Sequence, residues 1–489
     1  MKKTNIKKGF TLIELLAVIV ILAIIALIAT PIIINVIEGA RKKAFENSVY
    51  GIMETYKLKT IGEEELVGKI YNFPEGNNEL KYSGNKMIGG SIFLTPGKDI
   101  EVRELTDGRY CADGNKGNLV VKKGKCEPDL TTMPVIRKSQ VSPWGIPFLN
   151  TGISRDDIES MEFVMVAEFP SGAIDVSEKG NGTVKLWTKD ENGNNLQEVY
   201  IGAINDVVYA NPDSSYLFAC ISFAEKINLS NFDTSTATNM NSMFEATGYG
   251  VSDFTLNLGD KFDTSEVTNM YNMFSHSLGL QRLDLGNKFD TSKVTNMEQM
   301  FQWTGYNNSN FTLDLGNKFD TSNVTIMNSM FDGIGAGSTN FTLNLGNKFD
   351  TRNVLYMGTM FQMAGYYGTN FTLNLGDKFD TRNVTYMAGM FSGSGYSNPN
   401  FTLNLGDKFD TSKVTYMGEI FSDVGRLNPN FTLDLGGKFN VDSVTYFDGE
   451  FSGTGASNPL FKPTATVKTQ AEKNAILAKF PNIDVTIKP

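Results

Sequence analysis

Glu14 is the one carboxylate within an almost wholly apolar run over residues 10–36. An unpaired charge in such a setting is costly and is kept for a partner or a task; the bland alternative is a side chain resting near the headgroups at a helix end. Three cysteines come next. Cys111 and Cys126 have 14 residues between them, and a bridge closing that loop would contribute roughly 3 kcal/mol of chain-entropy stabilisation. The alternatives are another pairing or none. Cys220 lies in the hydrophobic stretch SYLFACISF and reads as a buried free thiol. A single histidine, His276, leaves no His-based zinc cluster and no convincing catalytic triad. No catalytic residue, metal site or cofactor is therefore expected, and the chain is not read as an enzyme. The net charge of -10 argues against broad binding of nucleic-acid phosphates. Two columns invite recognition chemistry. Lys261, Lys288, Lys318, Lys348, Lys378, Lys408 and Lys438 recur two residues before an Asp or Asn column; opposite signs at that spacing suggest solvated balance and capping, not calcium ligation. Tyr356, Tyr386, Tyr416 and Tyr446 occupy one position in four successive units, and Tyr249, Tyr306, Tyr366 and Tyr396 recur at a second. Tyrosine is rigid and amphipathic, so the first column is a candidate ligand face, with stacking between units as the alternative.

These residues need elements to position them. Four lysines precede Gly9, and the apolar run after it exceeds the 7–15 residues of a signal-peptide core and suffices to cross a bilayer. The basic flank keeps the short amino-terminal end in the cytoplasm and the bulk of the chain outside. A helix over 10–59 would be roughly 75 Å long, with Val36, Ala40, Ala44 and Met53 close to one stripe. Strand-like runs separated by turn signals follow over 60–130, and the Pro- and Gly-bearing stretch 131–152 reads as a semi-rigid connector. Beyond it the pair Phe-Asp recurs at Phe232, Phe262, Phe289, Phe319, Phe349, Phe379 and Phe409, with Phe439-Asn440 as an eighth copy; one step is 27 residues and the others 30. Fixed periods mark repeat architectures. Within a unit, Phe254, Leu256 and Leu258 alternate as in a strand, whereas Val267, Met270, Met273 and Phe274 recur as on a short helix. Asp263, Thr264, Ser265 and Thr268 lie where oxygen acceptors could cap that helix. The repeats run over 225–455, with 153–224 as a flanking cap and 456–489 as a carboxy-terminal cap containing an amphipathic helix near 470–480.

Lys7-Lys8-Gly9-Phe10-Thr11-Leu12-Ile13-Glu14 resembles the cleavage and methylation signature of type IV prepilins. The resemblance implies a leader over 1–9, cleavage after Gly9, methylation of Phe10 as the new terminus, and Glu14 as the assembly residue that pairs with the Phe10 amine of a neighbouring subunit. It also implies a small antiparallel head against the long helix. The units TSEVTNMYNMF, TSKVTNMEQMF and TSNVTIMNSMF resemble the BspA-like leucine-rich repeats of bacterial surface proteins. Later units depart at the Asn, as in TRNVTYM. The expected fold is thus α+β, a half-transmembrane pilin-like helix and small head followed by a right-handed solenoid of about eight strand–helix units.

The function these resemblances imply is a type IV pilus subunit, minor or tip-proximal, that displays a repeat domain for adhesion to host, matrix or other cells. Its partners would be a prepilin peptidase, other pilin subunits, the cytoplasmic membrane before assembly, and an extracellular protein or glycan. The mature protein would lie in the extracellular pilus or at the cell surface. Two alternatives are a pseudopilin of a secretion or DNA-uptake system and a membrane-anchored surface protein outside any filament.

Overall fold

The computed structural model describes residues 36–59, 71–73, 76–94, 100–124, 133–139 and 146–488. The apolar run with Gly9, Phe10 and Glu14 lies outside them, as does Cys126. The chain divides into two compact units, 1–129 and 130–489.

In the first unit, helix α1 (36–59) buries Phe45, Ser48, Val49, Ile52, Met53 and Tyr56. Those positions repeat at three and four residues, the spacing of one helical face. The expected stripe through Val36, Ala40 and Ala44 is instead exposed, because the aromatic residues Phe45 and Tyr56 set the buried side. Strands β1 (Tyr71–Asn72), β2 (Gly89–Leu94), β3 (Ile100–Thr106), β4 (Tyr110–Asn115) and β5 (Val120–Lys123) form one sheet in sequence order, each pair antiparallel. A short helix, α2 (Gly76–Glu79), follows β1. Ile92, Val102, Leu105 and Tyr110 pack with the α1 stripe in one core. Gly84 (φ 122°) comes so near Ser48 that a Cβ would stand 2.2 Å from its Oγ, so only glycine fits.

The second unit begins with a layer of longer strands. Strands β6 (Ile158–Val166), β7 (Ile174–Asp175), β8 (Val184–Lys189) and β9 (Gln197–Ile204) join β11 (Lys226–Asn228) and β13 (Thr255–Asn257) in the order β13-β11-β6-β9-β8-β7. The first repeat strand, β11, therefore pairs directly and in parallel with β6. Ile136, Phe148 and Leu149, from the stretch read as a connector, are buried in this unit's core, and the Ile136 N–H donates to Tyr209 O. Between those elements, β10 (Val208–Tyr209) pairs with β12 (Phe232–Asp233).

The repeats then stack in register. Strands β14 (Arg282–Asp284), β15 (Thr312–Asp314) and β16 (Thr342–Asn344) make one parallel sheet, and β17 (Thr372–Asn374) and β18 (Thr402–Asn404) another. Phe254, Leu256 and Leu258 point inward and are buried, as their alternation requires. Among the described residues no sheet closes on itself.

The helical half of each unit is absent. In the segment 240–247 the N–H groups of Met240, Ser242, Phe244 and Ala246 donate to the carbonyls of Asn269, Tyr271, Met273 and Ser275 in the next unit. Met243, Glu245 and Thr247 donate three residues back. Ser242 (φ 52°) and Ala246 (φ 54°) are left-handed, which an α-helix excludes. Each stands third in a four-residue turn, where a type II turn needs positive φ. Glycine fills both positions in later units, at Gly389 and Gly393 and at Gly449 and Gly453. The core is nonetheless the one the repeat implies. Phe244, Phe274, Phe301 and Phe331 form a column with ring centroids 5.3, 5.6 and 5.7 Å apart and planes within 2°. The threonine beside each Asp is a connector between units rather than a cap: buried Thr264, Thr291 and Thr321 donate to the carbonyls of Asp290, Asp320 and Asp350 at 2.8–2.9 Å.

Both ends of the stack are covered. At the start, Arg155 is buried and donates to Leu217 O, Ala219 O and Ser139 Oγ at 3.2, 2.6 and 3.0 Å. Burial lowers its pKa to about 10. At the far end, β19 (Thr464–Val467), α3 (Gln470–Lys479) and β20 (Asp484–Ile487) fold back, with a capping box between Thr469 and Glu472. Phe480 packs on Phe439, Phe447 and Phe451, and Lys479 Nζ donates to Val441 O and Val444 O.

Candidate functional site

The tyrosine column is a ladder of rings. Tyr386 stacks on Tyr416 at 5.1 Å and Tyr416 on Tyr446 at 4.3 Å. The reason is local: these positions bridge unit to unit along the backbone, Tyr356 to Tyr386 to Tyr416 to Tyr446, so like side chains are brought into register. Small residues make room. The Tyr386 ring covers Gly358 and the Tyr446 ring covers Gly418, and a Cβ on either glycine would come within 3 Å of the ring. Tyr356, Tyr386 and Tyr446 stay 43%, 37% and 46% exposed, but stacking occupies the ring faces, so the ladder offers chiefly edges and hydroxyls. The second column contributes Tyr366 and Tyr396, stacked at 4.4 Å, with the Arg426 guanidinium 5.7 Å from the Tyr396 centroid.

In the charged columns the Asp carboxylates are held chiefly by the residue two positions on, and one lysine of the column, Lys348, comes within ion-pair distance of an Asp. Asp263 Oδ1 accepts from the Ser265 N–H, and Lys348 Nζ lies 3.5 Å from Asp320. Where Arg replaces that serine the contact becomes a salt bridge, Arg352 with Asp350 and Arg382 with Asp380. The Arg352 guanidinium holds the Asp350 carboxyl below the usual range. Sequence reasoning missed the groove that these residues line with Lys378 and Lys408, about 410 Å³; the paired Ser-to-Arg changes were its signal. A larger cavity of about 710 Å³ opens beside β13 and β14.

Of the remaining singled-out residues, Cys111 is disulfide-bonded, and its expected partner Cys126 lies outside the described residues. Cys220 is a buried free thiol whose pKa burial pushes up to about 12. His276 Nδ1 is 2.7 Å from Ser275 Oγ, and burial lowers its pKa. Two buried carboxyls went unnoticed in the sequence as titratable groups. Asp332, pushed up to about 6 by burial, accepts from Gln302 Nε2 at 2.8 Å. Glu450 replaces the core Met of earlier units, and its Oε1 has no hydrogen-bond partner.

A family model described as Mycoplasma protein of unknown function, DUF285, matches residues 213–340, 282–404 and 363–470, together more than half of the chain. The chain belongs to the DUF285 family. The DUF285 match begins where the turn ladder does, at Asp213, which bridges Asn239. Tyr216 (φ 56°) and Cys220 (φ 57°) already take the left-handed positions there, so a degenerate DUF285 unit precedes the boundary expected at 225. The match ends at Gln470, the first residue of α3. A second model, the prokaryotic N-terminal methylation motif, matches residues 4–30, which carry Gly9, Phe10 and Glu14. No curated protein and no solved structure matches the chain. Among the described residues, no helix is long and apolar enough to cross a membrane; the expected spanning half of the helix lies outside them.

Proposed function

We propose that this chain is a type IV pilus subunit, minor or tip-proximal, that carries its DUF285 repeats outward as an adhesive solenoid. The observation that carries the reading is the methylation-motif match over 4–30. Gly9-Phe10 there fits the peptidase site, and Glu14 supplies the counter-charge for a new amine at Phe10. Register along a filament is the attested use of such a buried pair. The five-stranded sheet packed on α1 supports a pilin-like head. The stacked units support a display role, since repeats build extended surfaces from identical parts. Recognition of an extracellular protein or glycan would use side chains the stack leaves exposed, among them the edges and hydroxyls of Tyr356, Tyr386, Tyr416 and Tyr446.

Amino-terminal mass analysis of the protein recovered from cells tests the reading. The expected species begins at a methylated Phe10. A chain that retains Met1, or one cut beyond residue 36, would overturn the assignment to a pilus.

A further inference from the structure

Two successive units break the pattern of the charged columns. Ser265, Ser292, Ser322 and Ser412 stand two residues after their column Asp, but in the two units between Ser322 and Ser412 that place is taken by Arg352 and Arg382. With Lys378 and Lys408 they line the groove of about 410 Å³, a volume within the range of ligand sites. Four cations thus meet two carboxylates, Asp350 and Asp380, in a chain whose net charge is -10.

The two signs lie at different depths. The side chains of Asp350 and Asp380 are 7% and 8% exposed, whereas those of Arg352 and Arg382 are 63% and 59% exposed. The carboxylates are recessed, and the groove turns its positive groups to solvent. Arg352 uses Nε and Nη2 on Asp350, and Arg382 uses the same two atoms on Asp380. Among the described residues the Nη1 end of each guanidinium is left uncommitted, as are the Nζ groups of Lys378 and Lys408. Lys378 stands in the field of Asp350 and Lys408 in that of Asp380, so each lysine joins one arginine about the same carboxylate. Asp377 and Asp407 precede the two lysines but do not line the groove. The two arginines are one unit apart, about 4.8 Å at the spacing of paired strands, and act on one another as like charges. An anion seated between them relieves that repulsion.

The rest of the lining separates the ligand classes. It has no aromatic ring for a nucleic-acid base to stack on and no apolar side chain to anchor a peptide. Asn353 offers an acceptor instead, since its Nδ2 donates to Ser322 O at 2.7 Å and its Oδ1 is left free. Guanidinium ends that fit oxyanions, beside an amide acceptor, suit a sugar bearing both anionic groups and hydroxyls.

We propose that this groove binds an acidic glycan, whose sulfate or carboxylate groups meet the cations gathered about Asp350 and Asp380. The proposal deepens the display reading by naming a ligand class, and it uses none of the residues of the tyrosine ladder or of filament assembly.

Fluorescence polarisation with the full chain in detergent tests it. The probe is a fluorescein-labelled heparin hexasaccharide. Saturable binding is expected, competed by the unlabelled hexasaccharide and not by neutral cellohexaose. Arg352→Ser/Arg382→Ser installs the residue of the neighbouring units, whose N–H bonds the Asp carboxylate as the arginine N–H does, so folding is preserved. This variant should bind about tenfold more weakly. Lys288→Gln/Lys318→Gln, in the same lysine column but beside serine units, should keep its affinity within about twofold. Hyaluronan hexasaccharide, which carries carboxylates and no sulfate, divides the two anions: competition by it assigns the carboxylate, and its failure where heparin competes assigns the sulfate. The proposal is overturned by absence of saturable binding, by unchanged affinity in the arginine variant, by an equal loss in the lysine variant, or by tighter binding of hexaglutamate or hexathymidylate, which would mark a peptide or nucleic-acid site. None of these outcomes touches cleavage at Gly9, so the amino-terminal mass judges the pilus reading independently.

Discussion

Asp332 gives the stack a built-in pH dependence. Burial raises its carboxyl from the ordinary 3.8 to about 6, and the Gln302 amide is the one neighbour that offsets this. In the folded chain above pH 6 the group is charged at a cost that the unfolded chain does not bear. The penalty is fully present above the folded value and fades as pH falls through 6 towards 4. The interval between 3.8 and about 6 corresponds to about 3 kcal/mol at most, since each unit is worth about 1.4 kcal/mol. Its residual exposure of 8% reduces that, so Asp332→Asn should stabilise the second unit by roughly 1–3 kcal/mol at pH 8. The amide still accepts from Gln302. At pH 4 the gain should shrink below about 1 kcal/mol. Urea denaturation of a fragment spanning 130–489, followed by circular dichroism at both pH values, measures it. An equal effect at pH 8 and pH 4, or a loss of stability at pH 8, would refute the reasoning.

Two further outcomes follow from the same fragment. Tyr416→Ser removes stacks on both sides and should cost about 1–3 kcal/mol, at about 0.5–1.5 per aromatic pair, whereas Tyr356→Ser, outside the stacked trio, should shift the melt far less; equal costs would mean the stacking does not matter. Arg155→Met strands the carbonyls of Leu217 and Ala219 in the core and should cost roughly 2–5 kcal/mol, with Arg155→Lys recovering part of it; a neutral result in the urea titration would mean those carbonyls find other donors.

The sequence announced the period, the inward Phe and Leu, and the Met column, because burial is a property of side-chain type and recurs with the repeat. It did not announce the turn ladder. A spacing of three and four is shared by a helix and by a chain that turns left-handed at every fourth residue. Ser242, Asn272, Gln299 and Thr359 occupy those left-handed positions without any compositional sign; only the late glycines, such as Gly389 and Gly393, disclose it. The first unit was hidden for a similar reason, since Asp213 and Cys220 keep the backbone of a repeat while losing its letters. The extra residue Gln281, between Leu280, which bridges Phe254, and Arg282, which pairs with Thr312, was visible only as a step of 27 residues from Phe262 to Phe289.

The direction of the turn-ladder bonds carries one more consequence. Within the ladder, the N–H groups of Met240, Ser242, Phe244 and Ala246 point towards the following unit and the carbonyls they meet point back, so alternate peptide groups lie head to tail from unit to unit. Their dipoles add, as in a helix, and leave partial negative charge at the first unit and partial positive charge at the last. The residues at the two poles suit that field. Arg155, a buried cation, stands on the carbonyls of Leu217 and Ala219, and Glu450 places a carboxyl in the final unit, whose N–H groups have no further turn segment to meet. The turn ladder is polar along the stack, and the bonds that flank it, such as Thr268 N–H to Thr238 O and Gly279 N–H to Gly248 O, run the other way and offset part of that field.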